Sequence, residues 1–300
     1  MSRIHEALKQ AAQGREPALF AAKPAYAVIS RVTEGRAAER PNLPISDEGT
    51  ANISDGRALN DLWQRCKKSG WKLDPTYNVV SNNRPFAPCA EQFSKLRAAL
   101  YQIRGVKPLR TLLVTSSLPS EGKSFVALNL ALAIMRQHNR HILLIDGDLR
   151  MAKLARCLGV SGTPGLTEFL RGMADESSVI QTDTQGQLFF ISAGSPVTNP
   201  AELLSTERLE SLLRRMATLF DWVVIDAPPV LPVSDATLLA DRCDGVIVVV
   251  RAGSTGYDVV GRTLQELQGR RILGVVLNRA EEGATYGAYS YYGGNGTDKE

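Results

Sequence analysis

The chain has 300 residues, of which 44% are hydrophobic and 22% charged, with a net charge of +4. These values are ordinary for a soluble globular protein, and the length suits one large α/β domain with appendages. No apolar run approaches the roughly 20 residues that span a bilayer, and the start of the chain lacks a signal-peptide apolar region, so we expect a cytoplasmic protein whose membrane role is peripheral.

The cysteines and the charge distribution constrain the chain further. The four cysteines, Cys66, Cys89, Cys157 and Cys243, show neither a CxxC motif nor regular spacing, which predicts reduced core thiols. Residues 1–110 hold 18 Lys and Arg against 10 Asp and Glu, so the remainder carries a net charge of −4. The basic charges are dispersed and fit either an acidic partner surface or a solvated face.

The N-terminal part divides into two predicted regions. Ile4, Ala7, Leu8, Ala11 and Ala12 form one apolar stripe, which predicts an amphipathic helix over residues 1–13 that docks on its own domain or on a partner. Residues 14–88 are rich in Ala, Arg, Pro, Gly and Glu with little periodicity, which predicts a largely flexible linker. A short helix is predicted within it between Leu59 and Trp71.

Residues 89–280 read as a single α/β domain. Its predicted strands cover residues 111–115, 142–146, 188–192, 222–226, 245–250 and 272–277. They are continuous Val, Ile and Leu runs, as strands buried on both faces are, and helical patterns lie between most of them. This predicts a doubly wound, mostly parallel sheet with helices on both faces and a nucleotide at the carboxyl ends of the strands.

A phosphate-binding loop follows the first of these strands. It consists of Ser117, Leu118, Pro119, Ser120, Glu121, Gly122, Lys123 and Ser124, and a helical pattern begins at Phe125. Backbone N–H groups of such a loop surround a polyphosphate, its lysine reaches the outer phosphates, and its hydroxyl binds Mg²⁺. Ser117 stands where the usual pattern has its first glycine. We expect Lys123 to be exposed in this loop, so that its removal costs little stability.

Carboxylates end two other predicted strands. Asp146 and Asp148 follow the strand at 142–146, and Asp226 ends the strand at 222–226. Carboxyl ends of parallel strands meet at one edge, where such groups can bind Mg²⁺ or accept a proton from an attacking hydroxyl. One such aspartate often only caps the next helix, but three beside a phosphate loop form a more specific pattern.

The last twenty residues, 281–300, have a different character. Half of the tyrosines of the chain lie here within seven positions: Tyr286, Tyr289, Tyr291 and Tyr292. Since the segment has no Val, Leu, Ile or Met with which to build a core, we predict a mobile tail. The cluster is either a target of chemistry or an aromatic patch for self-association.

In these motifs the chain resembles the bacterial tyrosine kinases of capsule and exopolysaccharide synthesis, P-loop proteins related to the MinD/ParA ATPases. The family combines a Pro-containing phosphate loop, Asp-x-Asp-x-Arg, Asp-x-Pro-Pro and a tyrosine-rich tail, and all four occur here in order over residues 91–292. The start of the chain, residues 1–9, resembles the subset that accompanies exosortase-linked loci.

The resemblance implies ATP–Mg²⁺ binding and phosphoryl transfer to the tail tyrosines of a neighbouring subunit. It assigns catalysis to Lys123, Asp146 and Asp148, with Asp146 favoured as the base. Ser124, Asp148 and Asp226 would hold Mg²⁺. The implied partners are a separate membrane chain-length-determinant or co-polymerase activator, further copies of the chain, and a cognate tyrosine phosphatase; no nucleic acid is implied. Asn278, after the last strand, either contacts the adenine base or caps a turn.

The sequence departs from the family at two positions and leaves two alternatives open. Ser94 replaces the first arginine of the ring-forming Glu-x-x-Arg-x-x-Arg helix, although Glu91 and Arg97 remain. Phe125 stands where a small polar residue is usual, and we expect it to pack under the loop and to affect nucleotide affinity as one of the nucleotide-binding residues. One alternative is a MinD/ParA-like switch ATPase, but Leu118 occupies the position of the signature lysine of those proteins. The other is a non-catalytic ATP-sensing scaffold of a polysaccharide export complex.

Overall fold

The computed structural model describes residues 53–80, 88–137 and 140–280. The predicted N-terminal helix at 1–13 and the tyrosine-rich tail at 281–300 lie outside these residues. The strands are β1 Lys67–Lys68, β2 Thr111–Ser116, β3 Ile142–Asp146, β4 Ile180–Thr182, β5 Leu188–Ile191, β6 Trp222–Asp226, β7 Gly245–Arg251 and β8 Ile272–Asn278. The helices are α1 Ile53–Arg65, α2 Pro88–Arg104, α3 Lys123–Met135, α4 Leu154–Leu158, α5 Leu166–Leu170, α6 Glu176–Val179, α7 Pro200–Leu204, α8 Glu207–Leu219, α9 Asp235–Ala240 and α10 Tyr257–Glu266.

One eight-stranded sheet carries the fold, with the strand order β1-β4-β5-β3-β6-β2-β7-β8. All neighbouring strands are parallel except β4 and β5, which pair antiparallel. This confirms the predicted fold class and all six predicted strands. Two strands were missed, β1 and β4, because runs of two and three residues are too short to show a hydrophobic period.

Helices cover both faces of the sheet and bury two hydrophobic clusters. Successive residues of a strand enter opposite clusters: Leu113 packs with α8 and α9 on one face, whereas Leu112 packs with α2 and α3 on the other. Both side chains are fully buried. Because both faces of the strands are covered, the strands need the continuous apolar runs from which they were predicted.

The strand order brings three sequence motifs to one edge of the sheet. β2, which leads into the phosphate loop, lies between β6 and β7. β3 lies on the far side of β6, and the register aligns Asp146 with Asp226. Since all these strands are parallel, the loop after β2 and the aspartates after β3 and at the end of β6 meet at the same carboxyl edge.

Residues 53–80 belong to the fold, which corrects part of the predicted linker at 14–88. Leu62 of α1 and Cys66, the residue after this helix, are buried in the core, and β1 pairs with β4. Trp71 packs edge-on against Phe190, with ring centroids 6.4 Å apart. This segment was predicted as linker because its apolar residues are sparse and show no clear period. Its packing depends on widely spaced side chains and on backbone groups.

A buried asparagine holds the end of this segment. Asn129, in the middle of the apolar helix α3, is fully buried. Its Oδ1 accepts from the Val79 N–H at 3.0 Å, and its Nδ2 donates to the Tyr77 carbonyl at 2.6 Å. The segment is thereby fastened to the helix that follows the phosphate loop. We call residues 71–80 the N-terminal strap.

The four cysteines are buried and form no disulfide among the described residues, as predicted. Over the parts of the chain that the structure describes, no helix combines the length and the apolar character needed to cross a bilayer.

Candidate active site

The phosphate loop has the backbone shape of an anion-binding nest. Ser120 has a φ of 65° and Gly122 a φ of 97°. At Gly122 a Cβ would lie 1.9 Å from Nδ2 of Asn278, so only glycine fits this position. Helix α3 begins at Lys123, and no side chain caps it. The loop and the first turn of α3 therefore present backbone N–H groups and a positive helix end to an anion.

Lys123 is buried, which corrects the expectation that it is exposed. Only 8% of its surface is accessible, and its Nζ lies 2.7 Å from Oδ2 of Asp148 and 3.6 Å from Oδ1 of Asp226. Burial alone would lower the pKa of the lysine, but the charges of Asp226 and Asp148 outweigh burial and raise that pKa. The expectation was wrong because the carboxyl ends of β2, β3 and β6 converge and surround the lysine with carboxylates.

Asp226 stands at the centre of this cluster without a hydrogen bond. It is 1% exposed, and neither of its carboxylate oxygens has a hydrogen-bond partner among the described residues. Burial raises the pKa of Asp226, against the lowering effect of Lys123. A buried carboxylate with unused acceptor capacity is a group that a cation would stabilise.

Asp146 is held by backbone donors. Its Oδ2 accepts from the N–H groups of Lys153 and Leu154 at 3.1 and 3.0 Å, and its Oδ1 accepts from the Asp148 N–H at 3.3 Å. Burial and the neighbouring charge of Asp226 raise the pKa of Asp146 to about 7. Asp146 therefore supports the entry to α4, and its pKa suits proton exchange near neutral pH.

The ends of β3 and β6 approach so closely that the residue between Asp146 and Asp148 must be glycine. The Gly147 N–H donates to the Asp226 carbonyl at 2.8 Å. A Cβ at Gly147 would lie 2.9 Å from the same carbonyl oxygen. The Asp-x-Pro-Pro segment is fixed against β2, since Thr115 Oγ1 donates to the Pro228 carbonyl at 2.6 Å. These contacts keep the carboxylates beside the loop.

Sequence reasoning missed a bidentate ion pair that fixes the segment after Asp148. Arg150 donates through Nε and a terminal nitrogen to the two oxygens of Asp235, at 2.7 and 3.0 Å. Asp235 is fully buried in the first turn of α9. Arg150 was visible as the last residue of the Asp-x-Asp-x-Arg motif, but nothing in the sequence identified Asp235 as its partner.

Asn278 lies against the phosphate loop. It is 4% exposed, and its Nδ2 donates to the Glu121 carbonyl at 2.7 Å. The amide thus has a place in the loop architecture, and its contact with adenine remains a prediction.

The two departures from the family pattern are also visible. Phe125 lies on α3 with its ring centroid 5.9 Å from that of Phe93 of α2, so it packs behind the loop. Ser94 donates to the Ala90 carbonyl within α2, and Arg97 donates to the Ala133 carbonyl at the end of α3. Glu91 forms an i,i+4 pair with Lys95. These three residues make contacts inside their own domain.

The residues at this edge fit a polyphosphate with Mg²⁺. Ser124 Oγ lies 3.4 Å from Nζ of Lys123, which also contacts Asp148 and Asp226, so one hydroxyl and two carboxylates gather around one point. Among the described residues no group of three or more His, Cys, Asp or Glu forms a metal cage. Mg²⁺ at a nucleotide needs no such cage, because one or two carboxylates, phosphates and water complete its shell.

Comparison with known proteins agrees with this geometry. A family model described as an AAA domain matches residues 120–271. The tyrosine-protein kinase CpsD of Streptococcus agalactiae is 33% identical over 219 residues, which are 72% of this chain and 94% of CpsD. The chain belongs to the bacterial tyrosine-protein kinases.

A second relative and one solved structure extend the comparison. The tyrosine-protein kinase YwqD of Bacillus subtilis is 29% identical to the present kinase over 218 residues, 72% of this chain and 91% of YwqD. The kinase domain of the Escherichia coli tyrosine kinase ETK superimposes with a TM-score of 0.64 at 32% identity, covering 72% of this chain and 86% of that chain. The kinase therefore has a nucleotide-binding P-loop fold and transfers a phosphoryl group from ATP to protein tyrosine.

Proposed function

We propose that the kinase transfers the γ-phosphoryl group of ATP to the tyrosines of its own C-terminal cluster, in a neighbouring copy of the chain. The observation that carries the site assignment is the meeting of Lys123, Asp148 and Asp226 at the phosphate loop, within 3.6 Å of the lysine nitrogen. The acceptors would be Tyr286, Tyr289, Tyr291 and Tyr292.

The phosphate loop and four side chains beside it bind and orient the triphosphate in this proposal. The loop N–H groups hold the phosphates, and Lys123 turns its ammonium group to the transferring phosphoryl group, where it stabilises developing negative charge. Ser124 and Asp226, with Asp148 beside them, hold Mg²⁺. When bound, the ion would neutralise negative charge on the phosphates. The carboxylate oxygens of Asp226, which have no hydrogen bond among the described residues, support this assignment.

Asp146 acts as the base. The tyrosine oxygen forms a bond to the γ-phosphorus while the bond from that phosphorus to the bridging oxygen of ADP breaks, and the phenolic proton passes to the Asp146 carboxylate. The pKa of about 7 supports this role, because a base near neutral pKa is partly free at pH 7 and still accepts a proton. Asp148 orients Lys123 through their 2.7 Å contact.

The wider function that we propose is regulation of exopolysaccharide polymerisation and export. Membership of the family and the order of the four motifs support it. In this proposal a separate membrane chain-length-determinant or co-polymerase protein activates the kinase and places it at the inner face of the membrane. Self-association brings the tail of one copy to the site of the next, and a cognate phosphatase reverses the modification.

Intact-mass measurement of the purified full chain, before and after incubation with ATP and Mg²⁺, tests the reaction. We expect mass increments of one phosphate or more that peptide mapping locates on the tail tyrosines. Free phosphate with an unmodified tail would instead support a switch ATPase. Nucleotide binding without either product would support a scaffold.

A further inference from the structure

Glu121 is a buried acid inside a loop built to bind anions. It is 2% exposed, although a negative charge at this place opposes the approach of phosphate. Three uncharged donors hold its carboxylate. The Leu118 N–H donates to Oε2 at 2.7 Å, the Arg251 N–H donates to Oε1 at 3.3 Å, and the Thr255 hydroxyl donates to Oε1 in a short hydrogen bond. The charge is thus drawn to the back of the loop.

These contacts connect the phosphate loop to the ends of two strands. Arg251 ends β7, and Thr255 lies in the short connection between β7 and α10, where its N–H donates to the Arg251 carbonyl at 3.2 Å. Asn278, at the end of β8, donates to the Glu121 carbonyl and accepts from the Ala252 N–H at 2.9 Å. The phosphate loop, the 252–256 connection and the end of β8 form one hydrogen-bonded unit.

Thr255 supplies the only side-chain donor to Glu121 that the described residues show. A carboxylate accepts hydrogen bonds and donates none, so the threonine hydroxyl must donate its proton to Oε1. Without that hydroxyl, Oε1 would retain the longer 3.3 Å bond from Arg251. The carboxylate would then turn more readily to N–H groups of its own loop other than that of Leu118, where it would compete with phosphate.

We propose that Thr255 is a positioning residue of the kinase, which acts through Glu121 to hold the phosphate loop open for the nucleotide. The proposal rests on the nucleotide site described above and assigns a role to the 252–256 connection. Among the described residues, this connection forms no hydrogen bond or ion pair with Asp146, Asp148 or Asp226. Thr255 therefore affects how tightly nucleotide binds more than it affects the transfer step.

The test compares two substitutions that differ in one hydroxyl. Thr255→Val keeps the shape of threonine and removes the donor, whereas Thr255→Ser keeps the donor. Thr218→Val is the matched control, because it removes an exposed hydroxyl that donates to the Arg215 carbonyl on α8, away from the site. Each full-length variant is measured for the dissociation constant of Mg–ADP by calorimetry, for KM and kcat with ATP, and for thermal unfolding.

We expect Thr255→Val to raise the dissociation constant and KM about tenfold, the effect of one hydrogen bond to a charged group. We expect the kcat of Thr255→Val to stay within about twofold of the wild-type value. Thr255→Ser and Thr218→Val should bind Mg–ADP with a dissociation constant within about twofold of that of the wild type. In a double-mutant cycle with Glu121→Gln, the two effects should be non-additive, because Thr255 acts through that carboxylate. Thr255→Ala, which cannot overcrowd the site, replaces Thr255→Val in the cycle if the valine variant does not fold.

Equal Mg–ADP affinity in Thr255→Val and the wild type would overturn the proposal, as would a loss of kcat without a change in KM. Additive effects with Glu121→Gln would also overturn it. If the wild type itself fails to bind Mg–ADP, the nucleotide site assigned above is wrong, and that failure is distinct from a wild type that binds while Thr255→Val binds equally well.

Discussion

Lys123 and Asp148 form an ion pair of 2.7 Å across the end of β6, although β2 and β3, the strands that precede them in the chain, are not neighbours. Asp226, at the end of β6, lies between them and is 3.6 Å from the lysine nitrogen. One cation is thus shared by two buried carboxylates. A substitution of any of the three residues therefore changes the balance of charge within the cluster.

Asp226→Asn should impair tail phosphorylation without lowering the stability of the kinase. Lys123 stabilises the charge of Asp226, but burial outweighs this attraction and raises the pKa of the carboxyl group, so we expect the free energy of unfolding to stay the same or rise when the charge is removed. Because Mg²⁺ loses a ligand, we expect the Mg²⁺ concentration that gives half-maximal tail phosphorylation to rise at least about tenfold. Urea unfolding and a Mg²⁺ titration of single-turnover phosphorylation measure the two effects. A Mg²⁺ dependence like that of the wild type would contradict the metal assignment.

Asp146 should make the stability of the kinase fall between pH 4 and pH 8. Its pKa is about 7 in the folded chain against an ordinary 3.8, so the folded state keeps a proton that the unfolded state releases in this range. Stability therefore decreases as pH rises, by up to about 4 kcal/mol for a shift of this size. Asp146→Asn removes the titrating group, so the variant should be more stable than the wild type at pH 8 and similar at pH 4.

Urea unfolding at several pH values, with EDTA and without nucleotide, measures this dependence. A wild type whose stability is flat or rises from pH 4 to pH 8, or a variant with the same slope as the wild type, would show that Asp146 does not titrate in this way.

Arg150 and Asp235 should be energetically coupled. Arg150→Met leaves a fully buried carboxylate without its bidentate partner, and we expect a loss of about 1.5–3 kcal/mol of stability. Asp235→Asn in the same chain should recover part of that loss, because the unpaired charge is gone. Both single variants should slow tail phosphorylation, since the pair fixes the segment that follows Asp148. Additive stability effects measured in a double-mutant cycle would refute the coupling.

Asn129→Ala should loosen the N-terminal strap. The substitution strips partners from the Val79 N–H and the Tyr77 carbonyl, at an expected total of about 2–4 kcal/mol. Amide hydrogen exchange should accelerate in residues 71–80 before it accelerates in β2. Asn199→Ala, which removes an exposed contact with Glu202, is the matched control and should change stability by less than about 0.5 kcal/mol. Unchanged exchange in the strap would mean that Asn129 does not fasten it.

The strands and the edge that carries the site were predictable because each strand is one apolar run and each motif follows its strand directly. The burial of Lys123 was not predictable, since it depends on β6 lying between β2 and β3. Asn129 offered a signal, a polar residue within an otherwise apolar helix, but its partners are backbone groups some 50 positions away. Thr255 and Asp235 offered none, because a single threonine or aspartate after a strand is common.

In the proposed function, Lys123 belongs to the site that phosphorylates the tail of another copy. Lys123→Met should lose at least about 10²–10³ in the rate of phosphorylation. It should also lose about 3–5 kcal/mol of stability, because Asp148 and Asp226 lose their cation. Circular dichroism checks that the variant remains folded at the assay temperature.

The most direct measurement mixes the full-length Lys123→Met chain with an active chain that lacks residues 281–300, and follows the intact mass of each with ATP and Mg²⁺. We expect no phosphate on the Lys123→Met chain alone, and phosphate on its Tyr286–Tyr292 segment once the active chain is added. Phosphate on the isolated Lys123→Met chain at the wild-type rate would contradict the account.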